Sequence, residues 1–407
     1  MFKNILATLF LAIFLGTGCK KETQDPDKWP VTSKGNLLEY IAQIEAEPDS
    51  AVKNTMVNTL WDTLLSQNKI PWISNDTIIF LYKSKVTSLQ IAGDMTGWGQ
   101  DPAYIASNAA NTSLHYLVKT FPLDARLDYK FIVNNSLWTL DGANKKRQLS
   151  GFGPNSAFSM PQYDSSEYII EDILANKGNL SDYQIINSSN LGHNVRYWVY
   201  TPYNYQNLSN LKTIYVTDGQ EYKAKGMGSM VIALDNLIHK RLIEPVIAIF
   251  VDPVRPDNSQ NMRAQYFLSN SAYALFFKNE LVPYIDANYK TNTLAQNRAI
   301  LGTSYGGHNA AWFGYKIPET FQLIASQSPA YQPDMIPFWQ NNNINISKFF
   351  LSTGVIFDTE SKANQMETIL KQKQINYQYI KVNEGHSWGN WAALLDNVLI
   401  YFFPYTK

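Results

Sequence analysis

The sequence predicts an α/β protein, a doubly wound and mostly parallel sheet with helices on both faces, preceded by a small all-β sandwich. Three observations carry this. From residue 183 onward short apolar strands alternate with helical stretches, whereas between residues 76 and 161 short strands follow one another across turns with no helix between them. One late strand also runs into a helix through a glycine-flanked serine, Gly302-Thr303-Ser304-Tyr305-Gly306. Buried parallel strands joined by helical crossovers need cover on both faces, while short antiparallel strands at regular spacing close into a sandwich.

The chain has 407 residues, which at roughly 150 residues per domain implies two or three domains. Hydrophobic residues make up 45% and charged residues 17%, below the roughly 25% charge usual in soluble domains, so large cores are available and disorder is excluded. Lys+Arg and Asp+Glu each number 34. Without a global field to hold a polyanion, nucleic-acid binding is disfavoured. The single cysteine, Cys19, excludes an intramolecular disulfide, a thiolate zinc cage and an iron-sulfur cluster. Chemistry therefore falls to oxygen and nitrogen side chains, and no metal or cofactor is called for.

Residues 1–19 combine Lys3, an apolar run from Ile5 to Leu15, and Gly16-Thr17-Gly18-Cys19. That run is too short to span a bilayer stably. The pattern resembles a bacterial lipoprotein signal, with Gly16 where a Leu is usual; the resemblance implies export, lipidation of Cys19 and a membrane anchor at the periplasm or cell surface. An ordinary secretory signal is the alternative. Residues 20–75 begin as a polar tether containing Pro26 and Pro30, then carry Leu38, Ile41, Ile44, Val52, Met56, Leu60 and Leu64 near helical spacing. Pro48 interrupts that pattern and predicts two short helices.

Residues 76–161 read as strands at 77–83, 88–93, 115–120, 127–133 and 136–140, with turns at Gly97-Trp98-Gly99 and Asp141-Gly142. The runs Ile91-Ala92-Gly93-Asp94-Met95-Thr96-Gly97-Trp98 and Leu127-Asp128-Tyr129-Lys130-Phe131 resemble the early-set immunoglobulin-like domain of starch-type carbohydrate-binding modules and of the front of enterochelin esterases. The resemblance implies aromatic faces for sugar stacking. Anchoring of the sandwich itself by Trp98 and Trp138 is the competing reading. Residues 162–182 link to the last block.

Residues 183–407 open with an antiparallel pair around Leu191-Gly192-His193-Asn194. Strands at 213–216, 246–251, 298–301, 323–326, 349–352 and 377–382 then alternate with helices at 230–240, 273–285, 308–315, 364–373 and 391–402. The G-x-S-x-G turn has the strand before it and the helix after it that such an elbow needs, which makes Ser304 the candidate nucleophile. A serine needs a base, and there are five histidines. His115, His193, His239 and His308 fall in the sandwich, in the hairpin turn, at a helix end and on the helix after Ser304. His386, in Glu384-Gly385-His386-Ser387-Trp388, lies between the last strand and the last helix, where an α/β-hydrolase keeps its base. Asp358, on the loop after the 349–352 strand, is the favoured third member, with Glu360 as the main rival and Asp334 a distant one. Backbone N–H groups of Tyr305 and of Gln220, after Asp218-Gly219, are the expected oxyanion donors. Arg263, Trp388 and Trp391 are candidate substrate contacts.

Asp218-Gly219-Gln220, the run from Phe276 to Asp286, the elbow with its double glycine, and Gly385-His386-Ser387-Trp388 followed by Trp391 together resemble the esterase family of α/β-hydrolases. That family includes enterochelin esterases, the feruloyl and acetylxylan esterases of carbohydrate esterase family 1, and mycolyltransferases. Members often carry Asp where this chain has Ser387. The resemblance implies a serine ester hydrolase and does not fix its substrate; export, the surface tether and the sugar-module-like sandwich make feruloyl or acetyl esters on glycans the expected substrate. Siderophore esterase, acyl transfer to a sugar, and a catalytically idle glycan-binding lipoprotein are the alternatives.

Overall fold

In the computed structural model, residues 34–406 are described; the leader, Cys19 and most of the tether lie outside the described residues. Helices Lys34–Ala46 and Ser50–Ser66 are separated at Pro48, and Asp49 caps the second by accepting hydrogen bonds from the N–H groups of Ala51 (2.7 Å) and Val52 (3.0 Å).

The next block comprises β1 (Trp72–Ser74), β2 (Thr77–Lys83), β3 (Leu89–Gly93), β4 (Ser107–Asn108), β5 (Leu114–Thr120), β6 (Arg126–Val133), β7 (Leu137–Thr139), β8 (Arg147–Gln148) and β9 (Asn155–Ser159). They form two antiparallel sheets, one ordered β1-β2-β5-β4 and the other β3-β6-β9-β8 with β7 on β6. The first strand precedes the expected boundary at residue 76. Alternation along β2 explains the layering: Ile78 and Phe80 face Ile91, Tyr129, Phe131 and Phe158 between the sheets, while Ile79 and Leu81 face the two helices through Leu37, Ile41, Leu60 and Leu64. The helices are thus a third layer, covering the outer face of one sheet.

The second block comprises β10 (Asn179–Leu180), β11 (Gln184–Ser188), β12 (His193–Thr201), β13 (Lys212–Val216), β14 (Val246–Val251), β15 (Arg298–Thr303), β16 (Leu323–Gln327), β17 (Lys348–Gly354) and β18 (Tyr377–Val382). Among the described residues these make a nine-stranded sheet ordered β10-β12-β14-β13-β15-β16-β17-β18, with β11 on β12. It is parallel from β14 to β18 and antiparallel at β10, β11 and β12. Both faces are buried. Ile247, Ile249 and Val251 pack with Phe276, Phe313 and Met366, whereas Val246, Ala248 and Phe250 pack with Leu234, Leu395 and Phe402. The helix expected over 273–285 carries a π-helical stretch, Phe277–Leu281, and the expected final helix divides into Trp388–Ala393 and Leu395–Phe402.

The two blocks meet along one seam. Arg126, at the start of β6, forms a parallel bridge with Glu384, just beyond β18, and its N–H donates to Asn383 O at 3.3 Å.

Candidate active site

Ser304 sits at the carboxyl end of β15 with φ 57° and ψ −117°, a strained elbow for a residue with a side chain. Its surroundings permit nothing larger than glycine on either side. A Cβ on Gly302 would press into the Gly306 backbone, and one on Gly306 would stand 2.7 Å from Thr217 Oγ1. Ser304 N–H donates to Gln327 O (3.0 Å), and Ser304 O accepts from the N–H groups of His308 (3.1 Å) and Ala330 (3.0 Å). The elbow is locked by the next strand, by the helix that follows it and by the loop after β16.

Asp358 and His386 lie on the loops after β17 and β18. His386 Nδ1 and Asp358 Oδ1 are 2.7 Å apart, so an Nδ1–H donated to the carboxylate leaves the Nε2 lone pair free to accept a proton. Asp358 Oδ2 accepts from Ser328 Oγ (2.6 Å) and Gly354 N (2.7 Å). Burial opposes its ionisation, but the hydrogen bond and charge of His386, with the bonds from Ser328 and Gly354, prevail and hold the carboxyl below its usual range. Among the described residues His386 bonds Asp358 and no hydrogen bond joins it to Ser304. Glu360 instead pairs with Lys381 at 2.9 Å. Asp334 accepts from Ser269 Oγ, which itself lies 2.9 Å from His308 Nε2. Because Gln332 N–H donates to His308 Nδ1, the proton of that ring is on Nε2. Burial depresses the His308 pKa to about 4, so it is a neutral structural histidine.

Gln220 and Tyr305 each stand in the first turn of a helix, Gly219–Tyr222 and Tyr305–Lys316. Their N–H groups have no hydrogen-bond partner among the described residues, as anion donors require. A Cβ on Gly219 would run into the backbone of Phe250 and Val251, so the turn can pass there only as glycine. Arg263 tethers this turn. Its Nε lies 2.9 Å from both Asp218 carboxylate oxygens, and its Nη2 donates to Thr303 O at 3.3 Å. It therefore ties the Gln220 turn to the strand end that carries Ser304.

Trp388 and Trp391 differ from the expectation of substrate contact. They are only 3% and 6% exposed. Trp388 donates to Glu221 Oε2 (2.8 Å), and Trp391 presents an edge to the His386 ring at 5.0 Å. Both pack beneath the His386 loop, because the apolar core between sheet and terminal helices extends up to His386. Two exposed aromatics that sequence reasoning missed lie near elements of the site. Phe357, beside Asp358, is 69% exposed and packs on Gly97 of the sandwich, while Phe152, 99% exposed, tips a sandwich loop whose Gly151 faces Glu221. A cavity of about 310 Å³ opens next to Asp358, lined by Pro329, Tyr331, Gln332, Thr359 and Lys362. Among the described residues no three His, Cys, Asp or Glu side chains converge as a metal site.

The strand order, with Ser304 after β15 and the Asp358 and His386 loops after β17 and β18, all at the carboxyl edge of a parallel-rich sheet, is that of the α/β-hydrolase fold. Residues 188–352, about two fifths of the chain, match the model of the family described as "Putative esterase", and that match supports an ester hydrolase. An uncharacterized protein of Bacillus subtilis strain 168, YjcH, is 25% identical over 227 residues, which covers 52% of this chain and 92% of that protein. The iron(III) enterobactin esterase of Escherichia coli strain CFT073 is 29% identical over 99 residues, 24% of each chain. A crystal structure of the enterobactin esterase of Shigella flexneri superposes with a TM-score of 0.67 at 18% identity, covering 80% of this chain and 92% of that one, a likeness of fold.

Proposed function

We propose that the protein is an exported, lipid-anchored serine carboxylic ester hydrolase. Ser304 Oγ attacks the ester carbonyl, His386 Nε2 takes its proton and returns it to the leaving alcohol, and Asp358 fixes the imidazole tautomer and stabilises the imidazolium. The Tyr305 and Gln220 N–H groups receive the oxyanion, and water then releases the acyl group by the same route in reverse. The single observation that carries this reading is the convergence, at one edge of one sheet, of a strained serine elbow with a His386–Asp358 pair at 2.7 Å. Loss of hydrolysis of p-nitrophenyl acetate in Ser304→Ala tests it.

For the substrate we propose an aromatic or acetyl acyl group, feruloyl foremost, esterified to a glycan. Phe357, exposed beside Asp358, suits a planar acyl group, and an anchor at Cys19 together with a sugar-stacking sandwich suits a polymer met outside the cell. A second reading, hydrolysis of a catecholate trilactone siderophore, is favoured by the match to enterobactin esterase over 99 residues. The zero net charge lacks the bias that a ferric-catecholate anion would favour. Measured kcat/KM for feruloyl and acetyl oligosaccharides beside the trilactone decides between them. Tenfold better turnover of the trilactone would overturn the glycan assignment.

A further inference from the structure

Only five residues, 383–387, join β18 to the helix Trp388–Ala393, and His386 is the fourth of them. The sandwich touches this stretch almost residue by residue. Asn383 Nδ2 donates to Asp124 Oδ1 at 2.8 Å, and Asn383 O accepts from Arg126 N–H. The Arg126 guanidinium stands 3.9 Å from Glu384 Oε2 and donates to Ser387 Oγ at 3.2 Å. Gly385 lies against the Asp94 side chain so closely that any Cβ would overlap it, and Gly389 lies in the same way against the guanidinium. Arg126 is itself held rigidly by Asp128 (2.8 Å) and Gln148 (2.9 Å).

We infer that Arg126 is a positioning residue for the catalytic base: a buried cation supplied by the β-sandwich sets the loop that aims His386 at Ser304. The inference rests on the reading of His386 as base. Its physical argument is one of constraint. The Asp358 contact fixes one ring nitrogen but leaves the loop free to pivot about it, and a displacement of about 1 Å at a reacting group costs on the order of a hundredfold in rate. The guanidinium holds positions on both sides of His386, Glu384 and Ser387, and thereby removes that pivot. It also explains why three carboxyls, Asp94, Asp128 and Glu384, are tolerated in one buried place: they surround a cation that cannot lose its proton. The sandwich is on this view part of the hydrolase machinery as well as any surface it offers to substrate.

The test uses the full chain and p-nitrophenyl acetate, with kcat and KM measured separately and normalised to folded protein by circular dichroism and thermal unfolding. We expect Arg126→Met to lower kcat by about 10- to 100-fold with KM within about twofold. Arg126→Lys, which restores a cation without the planar fork, recovers part of that loss. Ser387→Ala, which removes one contact and leaves no extra buried charge, lowers kcat severalfold. A folded Arg126→Met protein with wild-type kcat overturns the inference, since a purely structural role would show in the unfolding temperature alone. If Arg126→Met does not fold, wild-type kcat in Ser387→Ala overturns it instead. His386→Ala, run in parallel, separates the two levels: activity retained there sinks the base assignment, whereas activity lost there but retained in the Arg126 variants sinks only the positioning role.

Discussion

Ser304 and His386 are held in contrasting ways. The elbow of Ser304 is built from its own domain: Gly302 and Gly306 accept Thr217 at close quarters, and Gln327 and Ala330 bond its backbone. The His386 loop is built from two domains, with Asp358, Trp391 and Asn390 on one side and Asp94, Asp124 and Arg126 on the other. A nucleophile that stands on a strand-to-helix turn can be specified by its neighbours in sequence. A base on a connecting loop has no such scaffold and has to take its rigidity from whatever packs over it, here a domain more than 250 residues away in the chain.

This contrast can be broken at its strongest point first. Ser304→Ala should lower kcat for an aryl ester by a factor on the order of 10⁶, and His386→Ala by a similar factor, because members of a triad act as a unit. Steady-state kinetics on purified protein checks both, and retention of more than a few per cent of activity by either contradicts its role. Asp358→Asn should lose less, on the order of 10⁴, since the acid orients the ring without bonding to substrate. Glu360→Gln, whose carboxylate faces Lys381, should change kcat by less than twofold, and the reverse order of these two effects would reassign the acid.

The seam offers a smaller effect that depends on pH. Burial, added to repulsion from Asp128, raises the Asp94 carboxyl to about 8 and the Glu384 carboxyl to about 7, with Arg126 only partly offsetting both, and Tyr163 also borders Glu384. Both folded values lie above the unfolded ones near 4, so the fold favours the protonated acids. Their contribution to stability is complete below about pH 4 and is lost as pH rises through about 7 and 8. The unfolding temperature should accordingly be lower at pH 8.5 than at pH 5.5, and Glu384→Gln should shrink that difference. An equal or larger difference in the variant would show that the seam acids do not titrate with folding.

Much of this was legible in the sequence because the signals are local. Strand β14 is six apolar residues long, and the glycines around Ser304 stand two positions away on each side. The parts that were not legible are long-range. Nothing in Arg126 or Asp94 announces a partner near residue 385, since a buried ion pair leaves no periodic mark. Trp388 and Trp391 read as candidate substrate contacts because an aromatic beside the His386 loop has the same sequence signature whether it faces substrate or core. The π-helical stretch at Phe277–Leu281 was likewise hidden, because its apolar spacing differs from an ordinary helix by less than one residue.

The central claim, that Ser304 is a nucleophile activated by His386, is tested most directly by covalent capture. Incubation with a fluorophosphonate ester, followed by intact-mass and peptide mass spectrometry, should give one adduct per chain on the peptide containing Ser304, with hydrolytic activity lost in proportion. The adduct should be absent in Ser304→Ala and should form far more slowly in His386→Ala. An adduct on another serine, or full labelling of Ser304 with activity unchanged, would contradict the account.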